Sequence, residues 1–292
     1  MLPASLKASN FAVTNKLKRV EETMSEIILP TERRKATDYN PRFMVIFGKP
    51  KSGKSSLMAS LDNNLIIDLE DGYRSLDVMC VQAKNANDIF QIKAAIEAKN
   101  KEEGKNFYRF ITIDNATRLE EMSLPYAAHK YRQTSMGQSW GSKMDKAGNL
   151  LKDANGKYVI DPKADVRLLP NGAGYLYMRE ALKEMINMFK PLCDTLILVC
   201  HVKDKQIKKN DVETTEMSVD LAGKTGDIIC GEADAIGYVS RQGNKTLLTF
   251  KGGDNNIKGS RPLHLREKSF CVAESDEDGN LKVDMSEIFI NN

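Results

Sequence analysis

The sequence predicts an α/β fold built on a mostly parallel central sheet, closed near its C-terminal end by antiparallel strands. Three observations carry that prediction. Short, continuous apolar runs recur along the chain: "RFMVIF" (42–47), "NLIIDLE" (64–70), "YRFITID" (108–114) and "DTLILVC" (194–200). Segments of helical period separate them, and unbroken apolar runs of this length mark strands covered on both faces. The first run also enters a glycine-lysine loop from which a helical stretch leaves, as a parallel strand passes to its covering helix.

The elements follow in order. Residues 1–40 stand apart as an N-terminal extension. Leu6, Val13, Leu17, Val20, Met24 and Ile28 recur at roughly helical spacing, and "LPTERRKATDYNP" then reads as a polar linker ended by Asn40-Pro41. The extension reads either as a surface helix or frayed tail, or as an arm for a neighbouring subunit. The core domain is expected over 41–292. Its first helix starts near Lys54, and Ile89, Ile92 and Ile96 share one face of a helix over 87–99. A helix over about 116–131 follows the third apolar run. A further helix over 173–189 carries Tyr175, Met178, Leu182, Met185, Ile186 and Phe189 on one stripe and stops before Pro191.

Two regions break the alternation. Residues 133–172 form a polar, glycine-rich insertion, with a hairpin predicted to turn at Asn155-Gly156. Residues 234–290 contain "DAIGYVSR", "KTLLTFKG", "PLHLREKSFCVA" and "LKVDMSEIFI", all expected as antiparallel strands, with "ESDEDGN" (274–280) as the turn of the last hairpin.

Composition sets the limits. The 292 residues can bury a full core. With 43 Lys and Arg against 40 Asp and Glu, nucleic-acid binding has to come from local patches rather than a globally basic chain. The five cysteines (Cys80, Cys193, Cys200, Cys230 and Cys271) are scattered, odd in number and without CxxC spacing, which points to reduced core thiols. Cys200 beside His201 has no second ligand pair, so a zinc site is not expected. No secretory pattern or membrane-length apolar run is visible, and a cytoplasmic protein is expected, in the host cytoplasm if the gene is viral.

The chemistry concentrates at strand ends. Gly48-Lys49-Pro50-Lys51-Ser52-Gly53-Lys54-Ser55, followed by Ser56, satisfies G-x-x-x-x-G-K-[ST] between a strand and a helix. In such a loop, backbone N–H groups converge on phosphates. Lys54 is then expected at the β- and γ-phosphates of ATP and the Ser55 hydroxyl on Mg²⁺. Asp114, at the tip of "RFITID", is the expected carboxylate of the Mg²⁺ shell, with helix capping as its alternative role. Asn115 follows it where many ring ATPases have Glu, so the base must lie elsewhere. Glu70, at the tip of the second strand, is the candidate base, with Asp68 and Asp71 as competitors. His201 ends the fourth run and reads as a sensor of the γ-phosphate. The loop expected after it, "VKDKQIKKND" (202–211), holds Lys203, Lys205, Lys208 and Lys209, a basic patch suited to nucleic-acid phosphates or to plain solvent.

These stretches together resemble the RecA-like ATPases, and more closely the phage-type RecA-like nucleotide-binding proteins of single-strand annealing and recombination. "GKPKSGKSSLMAS" with "NLIIDLEDGYRSLD" is similar to that family's Walker A and its next strand, and "FITIDNATRLEEM" resembles its Walker B. The resemblance implies Glu70 as catalytic base, Asp114 on Mg²⁺, and His201 where RecA relatives commonly carry Gln before a DNA-binding loop. It also implies Lys251 as a residue reaching a neighbour's γ-phosphate. The activity implied is ATP hydrolysis on single-stranded DNA, with assembly into rings or filaments, in phage or bacterial recombination, annealing, repair or replication. The insertion falls near the first DNA loop of RecA relatives and reads as added DNA surface, a partner site or a solubilising segment. Lys49 and Lys51 read as exposed loop charges. A helicase or DNA-packaging motor would share every nucleotide residue; a small-molecule kinase would need an Arg-rich lid, and a non-hydrolysing switch an idle Glu70.

Overall fold

The computed structural model describes residues 29–209, 212–253 and 256–290, and the helix expected over residues 6–28 lies outside the described residues. The chain divides into residues 1–37 and 38–292. The described part of the first unit, 29–37, contains no helix or strand.

In the second unit the chain order opens with β1 (Phe43–Gly48), α1 (Lys54–Ala59), β2 (Asn64–Asp68), β3 (Met79–Gln82), α2 (Ala86–Glu103), β4 (Tyr108–Asp114) and α3 (Ala116–Arg132). After the insertion come α4 (Gly174–Asn187), β5 (Cys193–Lys209), β6 (Val212–Val219), α5 (Thr225–Glu232), β7 (Ala235–Gln242), β8 (Lys245–Thr249), β9 (Gly259–Ser260), β10 (Ser269–Ser275) and β11 (Leu281–Val283). The sheet runs β11-β10-β8-β7-β1-β5-β4-β2-β3, with β6 on β5 and β9 on β7. From β7 to β3 every pairing along this path is parallel, and β8, β10 and β11 close it antiparallel.

The alternation along β1 explains the two layers. Phe43, Val45 and Phe47 face a core shared with α2, α3, α4 and α5, while Met44 and Ile46 face Leu57 and Met58 of α1 together with Phe250, Ile288 and Phe289. Local signals set the helix ends. The Asn85 side chain accepts from the Asn87 and Asp88 amides at the start of α2, Asp88 returns the bond, and Gly104 ends the helix at φ 68°.

Four expectations need correction. The segment 202–209, read as a loop, is strand: β5 runs on through it and pairs antiparallel with β6. Its charged and polar side chains hid the strand, and its described core contacts fall at the base of the hairpin, at Val202 of β5 and Met217 and Val219 of β6. "DAIGYVSR" forms β7, which is parallel to β1, since an apolar pattern carries no strand direction. Residues 262–267 of "PLHLREKSFCVA" are turns, and only the first three residues of "LKVDMSEIFI" are strand. Strand β3 and helix α5 had no prediction.

The insertion holds three isolated bridges, Ser142 with Ile160, Met144 with Leu150 and Lys152 with Tyr158. Its turns reuse one device. In "DKAGN" (145–149) and "DANGK" (153–157) the Asp side chain accepts two following backbone amides and glycine takes a left-handed φ. "DEDGN" (276–280) repeats it between β10 and β11. Val166, Leu169 and the Trp140 ring anchor the insertion on Ala127, Ala128, Met178 and Ala181.

Candidate nucleotide-binding site

The strand order places β1 and β4 on either side of β5. Gly48 stands level with His201, Val199 with Asp114, and Asp114 with Asp68. The C-terminal ends of β1, β5, β4 and β2 therefore line one crevice, as open parallel sheets arrange their ligand sites.

The loop leaving β1 has no room for side chains at its first residue. A Cβ on Gly48 would lie 2.5 Å from the Val239 carbonyl oxygen of the neighbouring strand. Lys51 and Gly53 take φ of 60° and 99°, which turns the chain into α1. Lys49, Pro50 and Lys51 are exposed, Ser52 is buried, and Ser55 and Ser56 are partly covered. The Lys54 ammonium bridges the loop, donating to the carbonyls of Gly48 and Lys49 at 2.9 Å each. Only 7% of Lys54 is exposed. Burial lowers its ammonium from the ordinary value, against the raising pull of the Asp114 carboxylate.

Ser55 donates to Asp114 Oδ2 at 3.2 Å. The same oxygen accepts the Tyr73 hydroxyl at 2.6 Å. Burial pushes the Asp114 carboxyl up, opposed by the hydrogen bonds from Tyr73 and Ser55 and by the charge of Lys54. Burial, then the Asp114 charge, pushes the Tyr73 phenol far above its ordinary value, so it remains a neutral donor.

Beyond Asp114 the peptide to Asn115 is cis, and Asn115 caps α3 by accepting the Arg118 amide at 3.0 Å. That bond fixes its Oδ1, so its Nδ2 donates to His201 Nε2 at 2.9 Å. His201 Nε2 also lies 3.6 Å from Glu70 Oε2. The three acids at the end of β2 and in the loop after it now separate. Asp71 is engaged by Arg74 and Gln82, Asp68 is buried and accepts the Glu70 amide, and the Glu70 side chain, 48% exposed, opens to the crevice.

The structure thus brings together Gly48 to Ser56, Glu70, Asp114 and His201. It leaves Lys251 apart: exposed, it follows the antiparallel strand β8, which runs away from the loop end of β7. Lys203 and Lys205 lie on the β5–β6 hairpin, Lys203 donating to the Leu221 carbonyl and Lys205 paired with Asp227 at 2.7 Å. The backbones of Lys208 and Lys209 belong to the same hairpin, and their side chains lie outside the described residues. Sequence reasoning missed Tyr73 and the Asn115–His201 bond. Tyr73 had one usable signal, a bulky aromatic isolated among polar residues just after a strand tip.

The donor set fits a nucleotide with Mg²⁺. A hydroxyl and a carboxylate, both hard oxygens, meet at the start of α1. Inside the loop the buried Ser52 hydroxyl has no partner among the described residues, and the Lys54 ammonium is held by carbonyls alone. Residues 40–262 match the family model described as AAA domain. The chain belongs to the AAA domain family. It is a nucleotide-binding P-loop ATPase by that membership, and its α/β core is a mostly parallel sheet closed by antiparallel strands. No curated protein sequence matches the chain. Among solved structures, a crystal structure of the RadB recombinase aligns over 82% of this chain and 90% of its own, with 10% identity and a TM-score of 0.40. Among the described residues of this AAA domain protein, no helix is long and apolar enough to cross a membrane.

Proposed function

We propose that this protein hydrolyses ATP with Glu70 as general base and couples the reaction to single-stranded DNA. The setting would be phage or bacterial recombination, annealing, repair or replication. The observation that carries the reading is continuity along β5: the strand passes His201 at the crevice and runs directly into the basic hairpin of Lys203, Lys205, Lys208 and Lys209. Glu70 is the one acid of its loop open to the crevice, where a carboxylate can take a proton from an attacking water. Lys54 holds the phosphates by charge, and Ser55 with Asp114 holds the metal side of the site. Bound Mg²⁺ supplies charge neutralisation at the phosphoryl oxygens. His201, bonded to Asn115 and 3.6 Å from Glu70 Oε2, would relay the state of the crevice to the hairpin. Lys251 would act only across a subunit boundary, which calls for a ring or filament.

The test is ATP hydrolysis with and without single-stranded DNA in the wild type, Lys54→Ala and Glu70→Gln. Glu70→Gln should keep nucleotide binding and lose about 10²–10⁴-fold in kcat. Lys54→Ala should lose binding. An absence of DNA stimulation, with no DNA retention at low salt, removes the nucleic-acid half of the reading. Normal turnover by Glu70→Gln removes the base assignment.

A further inference from the structure

Tyr73 is buried, with 4% of its surface exposed, in the loop that also carries Glu70. Its side chain crosses to a strand that is 41 residues away in sequence. The hydroxyl donates to Asp114 Oδ2 at 2.6 Å, while Ser55 donates to the same oxygen at 3.2 Å. A carboxylate oxygen held by two donors cannot rotate freely. The bond at 2.6 Å is short enough to be the charge-assisted kind.

We propose that Tyr73 is a positioning residue of the metal side of this site. Its hydroxyl fixes the Asp114 carboxylate so that Ser55 donates its hydrogen bond to Asp114 and keeps its oxygen lone pairs for Mg²⁺. This rests on the ATPase reading above and deepens it. The geometry distinguishes the role from packing. A phenylalanine would fill the same volume among Met44, Ile46, Leu57 and Ile66. What only tyrosine adds is the hydroxyl on Oδ2. Without it, Ser55 is left as the one side-chain donor to Asp114 among the described residues, over the longer bond. The Asp114 carboxylate then swings, and the Ser55 hydroxyl has no fixed acceptor for its proton.

The test is binding of a fluorescent ATP analogue, first in EDTA and then titrated with Mg²⁺, in the full-length wild type and Tyr73→Phe. The Mg²⁺ concentration at half-effect should rise roughly tenfold in Tyr73→Phe, the loss expected for one hydrogen bond to a charged group. Affinity in EDTA should stay within about twofold, because no phosphate contact is removed. In a Ser55→Ala background, Tyr73→Phe should add almost nothing, since the group it orients is gone. A Mg²⁺ midpoint unchanged by Tyr73→Phe overturns the proposal. So does an equal loss in EDTA and Mg²⁺, or a full effect persisting in Ser55→Ala, because each is the signature of a packing role. If the wild type binds no nucleotide, or Lys54→Ala binds it equally well, the ATPase reading has failed and the proposal falls with it.

Discussion

His201 accepts a hydrogen bond from Asn115 at 2.9 Å, joining the tip of β5 to the cap of α3. Because Asn115 Oδ1 is committed to the Arg118 amide, it is Asn115 Nδ2 that donates to His201 Nε2. Asn115 is fully buried, so removing its acceptor leaves a donor stranded. His201→Leu should cost about 1–3 kcal/mol, a fall in Tm of roughly 2–4 °C per kcal/mol for a chain of this size. His201→Gln, whose amide oxygen can take the same hydrogen, should melt much closer to the wild type. Thermal melts of the two variants check this, and equal losses would show that the bond contributes nothing.

A Cβ added at Gly48 would meet a neighbouring strand, whereas one added at Gly231 would meet open space. The Cβ of an alanine at 48 meets the Val239 carbonyl at 2.5 Å, a contact with backbone that neither strand can relieve cheaply. At 231, inside α5, no atom lies within 4 Å of the added methyl. Gly48→Ala should destabilise by about 1–3 kcal/mol. Gly231→Ala should stabilise by roughly 0.5–1 kcal/mol through the lost freedom of the unfolded chain. Urea denaturation separates the two signs.

The parts of this molecule legible in its sequence are those whose cause is local. The loop 48–55 announces itself because its glycine, lysine and hydroxyl positions are set by one strand and one turn. The turn at Asn155-Gly156 is legible because an Asp side chain and a left-handed glycine build it within five residues. Contacts made by topology are not visible in this way. Tyr73 reaches Asp114 only after β2 and β4 have paired, and its one local mark, an isolated aromatic after a strand tip, does not say what it meets. Strand β3 is short, exposed at the sheet edge and mixed in character, so periodicity gives no signal. The hairpin at 202–219 meets the core at its base, through Val202, Met217 and Val219, while the charged stretch after Val202 reads as polar loop.

Asp38 ties the chain before β1 to the far end of the fold. It accepts the Leu263 and His264 amides at 3.0 and 2.9 Å and faces His264 Nδ1 at 2.8 Å. Burial raises the Asp38 carboxyl, and the hydrogen bonds and charge of His264 with the backbone amides outweigh it, leaving it below its ordinary value. A carboxyl depressed in the folded state stabilises above its unfolded-state value, about 3.9, and the contribution disappears as pH falls through the folded value. Asp38→Asn should therefore melt below the wild type at about pH 5 by a margin that closes below about pH 4. The partial exposure of the Asp38 side chain keeps that margin to a few degrees. Melting curves across this range decide it, and a margin unchanged in acid would show that the carboxylate charge plays no part.

On the β5–β6 hairpin, two lysines are already occupied by the chain itself. Lys205 pairs with Asp227 of α5 at 2.7 Å, and Lys203 lies 3.7 Å from Asp220 besides its bond to the Leu221 carbonyl. If the hairpin carries single-stranded DNA, each lysine that neutralises a phosphate adds about 0.7 to the slope of log affinity against log salt. Lys205 must leave Asp227 to do so, and its net contribution shrinks by what that pair is worth. Lys205→Ala should therefore flatten the slope by less than about 0.7. The same competition predicts a gain. Asp227→Ala frees Lys205 and removes a repelling carboxylate, so it should tighten binding at low salt, with the advantage fading as salt screens both charges. Fluorescence anisotropy of a labelled oligothymidine over about 50–300 mM salt reads both effects. Weaker binding by Asp227→Ala would mean that the pair, by holding α5 against the hairpin, matters more to the surface than the lysine charge it masks.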